Sequence, residues 1–176
     1  EVIRAIRQAT DAVIRVDANA AWMPKEACKT ICEIAPYGIE LVEQPVPPGS
    51  PEALRFVTER VPVPVVADES AVTYEDVAAL AGVADGVNVK LMKCGGISGA
   101  LRMIAAARAC GLKVMLGCML ETSIGITAAA HIAGLVDWAD LDGNLLIADD
   151  PFEGVRVKDG KLILPEGPGL GVTGAA

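Results

Sequence analysis

Three carboxylates recur at near-equal spacing, each at the end of a short apolar run: Asp17 in Val-Asp-Ala-Asn, Glu43 in Val-Glu-Gln-Pro and Asp68 in Ala-Asp-Glu-Ser. If those runs are strands lying side by side, their ends come within about 5 Å of one another. Three anions so close call for a cation among them. All-oxygen ligation with room for water suits Mg²⁺, with Mn²⁺ as a substitute. Asn19 and Gln44 follow two of the acids and are placed to orient them from behind. Glu69, beside Asp68, points the other way by strand alternation and reads as a surface acid.

Lys90 lies in Val-Asn-Val-Lys-Leu-Met-Lys-Cys-Gly-Gly, inside an apolar run that must carry it inward. Burying an ammonium is costly unless it is used or paired. Close to a divalent cation and to Lys93, its charged form is disfavoured, so its pKa is expected to fall towards that of a general base. Lys93 is the alternative base, although it already stands at the turn into Cys94-Gly95-Gly96. A lysine that snorkels from a strand end is the purely structural reading of Lys90. Asp140 and Asp142 close the last apolar run and point the same way along it. Two acids on a cavity rim suit a cationic substrate group such as an ammonium. His131, in Ala-Ala-Ala-His-Ile-Ala, reads as a packed residue in the middle of a helix.

What must position these residues is a series of β/α units. Short apolar runs alternate with stretches of 3.6-residue periodicity from Ala12 to about Gly143 without a linker. The pattern predicts strands over Val13–Val16, Gly38–Val42, Val63–Ala67, Gly86–Leu91, Lys113–Leu116 and Trp138–Leu141. The helices between them are opened by Pro24, by Ser50-Pro51-Glu52, by Thr73-Tyr74-Glu75-Asp76 and by Ser98, and Gly82 and Gly111 fall where helices should stop. Near-continuous apolar strands indicate a parallel sheet covered by helices. Asp17, Glu43, Asp68, Lys90, Glu121 and Asp142 each sit at or just beyond a strand end, one per unit. In a doubly wound sheet only two or three strand ends converge on a ligand; in a closed barrel all of them surround one cavity. The expected fold is therefore α/β, a (β/α)8 TIM-type barrel with its site at the C-terminal strand ends. After Gly143 the pattern changes. Val155 to Leu164 reads as a hairpin turning at Asp159-Gly160, and the chain divides into 1–143 and 144–176.

The composition narrows the partners. With 176 residues, a net charge of −8 and 52% hydrophobic residues, the chain has a core's worth of apolar side chains and the wrong sign for nucleic acid. Its apolar runs are interrupted before they reach the roughly 18 residues of a membrane span. Five cysteines without a C-x-x-C pair argue against a disulfide framework or structural zinc and fit a reducing cytoplasm. Cys28 and Cys32 stand four apart on a helix, where burial as small apolar residues outweighs metal binding.

Together the segments 16–19, 42–45, 67–70, 88–96 and 117–125 resemble the enolase superfamily, and within it the muconate-lactonising-enzyme subgroup. Asp140-Leu141-Asp142 looks like the D-x-D signature of its dipeptide epimerases. The resemblance implies that Asp17, Glu43 and Asp68 are Mg²⁺ ligands and that Lys90 is the acid/base. It also implies that Glu121 lies in the cavity and that Asp140 and Asp142 hold the α-ammonium of a dipeptide such as L-Ala-D/L-Glu. The implied reaction is α-proton abstraction next to a metal-bound carboxylate, through an enediolate, and return of the proton to the opposite face. The alternatives with the same site are o-succinylbenzoate synthase, N-acylamino acid racemase and muconate cycloisomerase, whose substrates lack the α-ammonium. The family's second base, in a K-x-K motif one strand upstream of the first metal ligand, has no counterpart here. The chain is thus expected to be the last six units of the barrel, with 144–176 returning towards an absent capping domain. A catalytically incompetent metal-binding barrel fragment is the non-enzymatic reading. Its exposed strand edges would favour a homo-oligomer.

Overall fold

The computed structural model describes residues 1–174. Six strands, β1 (Ile14–Asp17), β2 (Ile39–Glu43), β3 (Val65–Ala67), β4 (Gly86–Lys90), β5 (Lys113–Gly117) and β6 (Trp138–Ala139), form one parallel sheet in sequential order. A doubly wound sheet would reverse its order at a switch point. This one does not, and it forms an open half-barrel wall with β1 and β6 at its edges. The expected strands are present with shifted limits. Pairing in β3 begins at Val65, one residue after Pro64, which has no N–H to give a ladder.

The helices are α1 (Val2–Ala9), α2 (Pro24–Ile34), α3 (Pro51–Thr58), α4 (Tyr74–Val77), α5 (Leu91–Cys94), α6 (Ile97–Ala109) and α7 (Ser123–Ala130). Pro24 and Pro51 occupy first-turn positions, where a missing N–H costs nothing. Ser50 Oγ accepts from Ala53 N at 3.2 Å, and Thr73 and Asp76 cap α4 reciprocally. Ser98 does not open α6: Gly96 precedes its first residue, and Ser98 lies inside the first turn.

The wall has two apolar faces, which explains the unbroken apolar strands. Val42, Val65, Val87, Val89, Val114 and Leu116 turn outward against Ile31, Leu54, Met103 and Ile126 of the helices. Leu41, Val66, Met115 and Trp138 form a smaller buried cluster on the inner face. Arg15, on β1, pairs through Nε with Glu40 Oε2 at 2.6 Å and donates from Nη1 to Ala139 O at 2.9 Å, so one side chain links the first and last strands.

The C-terminal segment folds as small antiparallel pieces. The hairpin of β8 (Arg156–Lys158) and β9 (Lys161–Ile163) pairs Lys158 with Lys161 around Asp159 and Gly160, both at positive φ as a type I′ turn requires. A second pair, β7 (Phe152–Glu153) with β10 (Thr173–Gly174), has no signal in the sequence. Val155 N donates to Thr127 Oγ1 at 2.8 Å, docking this segment on α7. His131 is the exposed residue that ends α7, with a ring nitrogen 3.2 Å from Leu170 O, rather than a packed mid-helix residue. All five cysteines are free. No helix among the described residues is long and apolar enough to cross a membrane.

At the N-terminal ends of the strands, two acids hold register. Asp85, just before β4, accepts from Val65 N at 2.8 Å, and Asp137, just before β6, accepts from Val114 N at 2.7 Å and from Arg108. Partial desolvation works against ionisation of Asp137, but the Val114 N–H and the Arg108 guanidinium outweigh it and hold its pKa low. A depressed folded pKa gives stability that is present above the unfolded pKa and is lost as pH falls through the folded value. Asp137→Asn should therefore lower the unfolding free energy by about 1 kcal/mol near neutrality. The difference from wild type should shrink below about pH 4, as chemical denaturation at the two pH values would show.

Candidate active site

Strand alternation gathers one polar set on the inner face of the wall at its C-terminal end. On β4, Val87 and Val89 face outward while Asn88 and Lys90 face the cavity. Asp17 and Glu43 are direct partners in the β1–β2 register, and Asp68 follows the last residue of β3. Asp17, Glu43, Asn88, Lys90, Asp140 and Asp142 line a cavity of about 120 Å³, with Met115, Gly117 and Cys118 completing its wall.

Glu43, Asp68 and Lys90 are all below a tenth exposed, so their charges act on one another with little water between. Lys90 Nζ donates to Asp68 Oδ2 at 2.8 Å and stands 3.9 Å from Glu43 Oε1. Asn88 Nδ2 donates to that same Glu43 oxygen at 2.6 Å. Burial lifts the Glu43 pKa to about 7; the Asn88 hydrogen bond opposes the rise, and the charges of Asp17 and Asp68 add to it. Burial alone would lower the Lys90 pKa, but its bond to Asp68 and the charges of Asp68, Glu43 and Asp17 raise it. The fall expected of Lys90 is tied to a nearby cation; here its nearest charges are carboxylates, which favour the ammonium. Asp140, on the rim, is raised by desolvation and by Asp142, with Arg15 and Lys90 pulling the other way.

Other expected residues take different places. Lys93 lies outside the cavity lining, with Nζ on Asp68 Oδ1, on Asp68 O at 2.7 Å, on Ala71 O at 3.0 Å and on Asn88 O at 3.2 Å. Glu121 is also outside the lining: it is buried, its Oε1 accepts from Met119 N at 2.9 Å, and a β-carbon on Gly125 would collide with its other oxygen. Asn19 touches Asp17 through its own backbone, N to Oδ1 at 2.8 Å, rather than through its side chain. Gln44 is fully buried and serves the next strand. Its Oε1 accepts from Asp68 N at 2.9 Å and Ser70 N at 3.1 Å, and its Nε2 donates to Val46 O and Ser70 Oγ. Glu69 lines a separate cavity between the start of α3 and α4, away from the site.

Sequence reasoning missed Asn88 and Gly117. Asn88 carried a signal, standing two residues before Lys90 and hence on the same face. Gly117, paired with Lys90 across β4–β5, is small because a β-carbon there would come within 2.6 Å of the Asn88 amide. Its absence lets that amide reach Glu43.

Among the described residues no three His, Cys, Asp or Glu side chains converge closely enough to hold a cation as they stand, since Asp68 turns its oxygens to Lys90 and Lys93. The donor chemistry nevertheless fits a hard divalent ion: three carboxylates on neighbouring strand ends, one of them driven towards protonation by burial and like charge. Asp17, Glu43 and Asp68 are the residues that could supply its oxygens.

The family described as "Enolase C-terminal domain-like" matches residues 1–175. The L-Ala-D/L-Glu epimerase of Bacteroides thetaiotaomicron is 47% identical over 98% of this chain and 45% of its own length. The substrate-liganded L-Ala-D/L-Glu epimerase from Bacillus subtilis superposes with a TM-score of 0.92 at 42% identity, over 99% of this chain and 51% of that one. Dipeptide epimerase from Enterococcus faecalis, complexed with Mg and L-Leu-L-Tyr, gives 0.91 at 44% identity, over 97% and 51%. The chain spans about half the length of the curated relatives it matches.

The Gln44 contacts supply a test of how the site is braced. Gln44→Met removes partners from the buried Asp68 N–H, the half-buried Ser70 N–H and the Val46 carbonyl, and should cost about 2 to 4 kcal/mol in urea unfolding.

Proposed function

Since the chain belongs to the enolase superfamily, in its muconate-lactonising-enzyme subgroup, we propose that the protein carrying it epimerises dipeptides at the carbon next to a carboxylate. The observation that carries this reading is one small cavity with Asp17, Glu43 and Lys90 on one side, Asp68 bonded to that lysine from behind the lining, and Asp140 and Asp142 on the rim. A dipeptide presents the matching charges, a carboxylate for the first group and an ammonium for the second.

Lys90 is assigned as the base that takes the α-proton at Nζ on its own face of the substrate, while the proton that completes inversion is delivered to the opposite face by a second base. To act it must first give up a proton, which its present carboxylate neighbours resist. Mg²⁺, or Mn²⁺ in its place, held by Asp17, Glu43 and Asp68, would supply Lewis-acid stabilisation of the charge that the substrate carboxylate gains as the α-proton leaves. Asn88 holds Glu43 in place, and Gln44 holds the backbone of Asp68. Asp140 and Asp142 fix the ammonium and so orient the α-carbon towards Lys90. The second base that inversion requires is assigned to a part of the protein that this chain does not span. The Asp140–Asp142 pair favours a dipeptide over the acyl or cyclic substrates of the related cycloisomerases and synthases, which have no α-ammonium to place there.

Exchange of the substrate α-proton with ²H₂O, followed by NMR over a panel of dipeptides, tests the reading. Exchange should require Mg²⁺, and Lys90→Ala should slow it by at least about 100-fold. Asp142→Asn should lower kcat/KM roughly 10- to 100-fold on dipeptides and have little effect on N-acylamino acids. Absence of exchange across a broad panel would sink the proposal.

A further inference from the structure

Lys93 is the ammonium beside Asp68 that the proposed reaction does not use. It sits on the short helix α5, with its side chain 11% exposed, and its three protons face four acceptors: Asp68 Oδ1, Asp68 O, Ala71 O and Asn88 O. Nothing of it lines the cavity, whereas Lys90 does. The two lysines therefore divide Asp68 between them. Lys93 holds Oδ1 from outside the cavity, and Lys90 meets Oδ2 from within it.

We propose that Lys93 is a positioning residue. It clamps Asp68 Oδ1 and the backbone at 68–71 to the end of β4, so that Oδ2 is the Asp68 oxygen left for Lys90 or for a divalent cation. The inference rests on the metal reading above. It assigns no proton transfer to Lys93, because deprotonation would strip buried acceptors of their donor. Without the clamp, Asp68 is free to turn both oxygens to Lys90, and a cation must then compete with a two-point ion pair. The loss of a positive charge acts in the opposite direction, favouring the cation by simple Coulomb attraction. The sign of the change in affinity thus separates a clamp from a mere neighbouring charge.

The experiment uses the protein as expressed from its gene, with Mn²⁺ as the probe and the EPR signal of the free ion as the readout. Lys93→Met should weaken Mn²⁺ binding about 10- to 100-fold. Its α-proton exchange should return towards the wild-type rate once Mn²⁺ is saturating, with substrate KM little changed. Lys90→Met should show the reverse, with Mn²⁺ retained and exchange lost at every Mn²⁺ concentration. Unchanged or tighter Mn²⁺ binding by Lys93→Met overturns the proposal, as does exchange that stays absent at saturating Mn²⁺, which would make Lys93 a base. Should Lys93→Met fail to fold, Lys93→Ala, which likewise removes both donors and charge, is read the same way. Failure of both to fold assigns Lys93 to the fold alone and overturns the proposal. Weakened Mn²⁺ binding without exchange of any dipeptide by wild type would leave the clamp standing and remove the dipeptide reading; a wild type that binds no Mn²⁺ removes both.

Discussion

Negative charge that the fold does not let disperse dominates the top of the wall. Asp17 and Glu43 are register partners on adjacent parallel strands, so neither can move away from the other without breaking the ladder that both belong to. Asp68 joins them from β3, and burial of Glu43 removes the water that would otherwise screen the cluster. The neighbouring features answer that constraint. Lys90 and Lys93 bring compensating charge, Asn88 brings an amide dipole, and Gly117 gives up its side chain so that the amide fits. Burial is the main cause of the rise of the Glu43 pKa to about 7, and the charges of Asp17 and Asp68 add to it.

The two ends of the wall are built on different principles. At the lower end, Asp85 and Asp137 each accept the N–H of a residue near the start of a neighbouring strand, and the acids are spent on register. At the upper end the side chains of Asp17 and Glu43 turn into the cavity instead of holding a neighbouring strand. Between the ends lie the inner cluster of Leu41, Val66, Met115 and Trp138 and the outer layer against the helices. That division is the usual one in barrels, where one face carries stability and the other chemistry.

Much of this was legible before any coordinates because it is local. An apolar run ending in an acid, repeated at the length of one β/α unit, needs only strand periodicity to place Asp17, Glu43, Asp68 and Lys90 on a common face. What was not legible depends on reach. The parity of Lys93 says nothing about four acceptors on two other segments, and Glu121 stands at a strand end yet folds back onto its own turn. Gln44 looks like a partner of the acid next to it, but its long amide crosses to β3. Which charges stand nearest to Lys90 is likewise a matter of reach, and they are the carboxylates of Asp68 and Glu43. The β7–β10 pair joins segments some twenty residues apart by only two residues each, too short to leave a pattern.

Arg15 adds a mechanical element to this picture. Six twisted strands trace an arc, and the bond from its guanidinium to Ala139 O is a chord drawn across that arc from one end to the other. A chord of fixed length sets curvature: if β1 and β6 spread, the contact breaks, and if they close, the guanidinium and its Glu40 partner are crowded out. The carbonyl it grips belongs to the residue immediately before Asp140, whose acidity its charge also shifts. Bending of the sheet and tuning of the rim thus pass through one side chain, so a change in the breadth of the wall would be felt at its mouth as a change in charge.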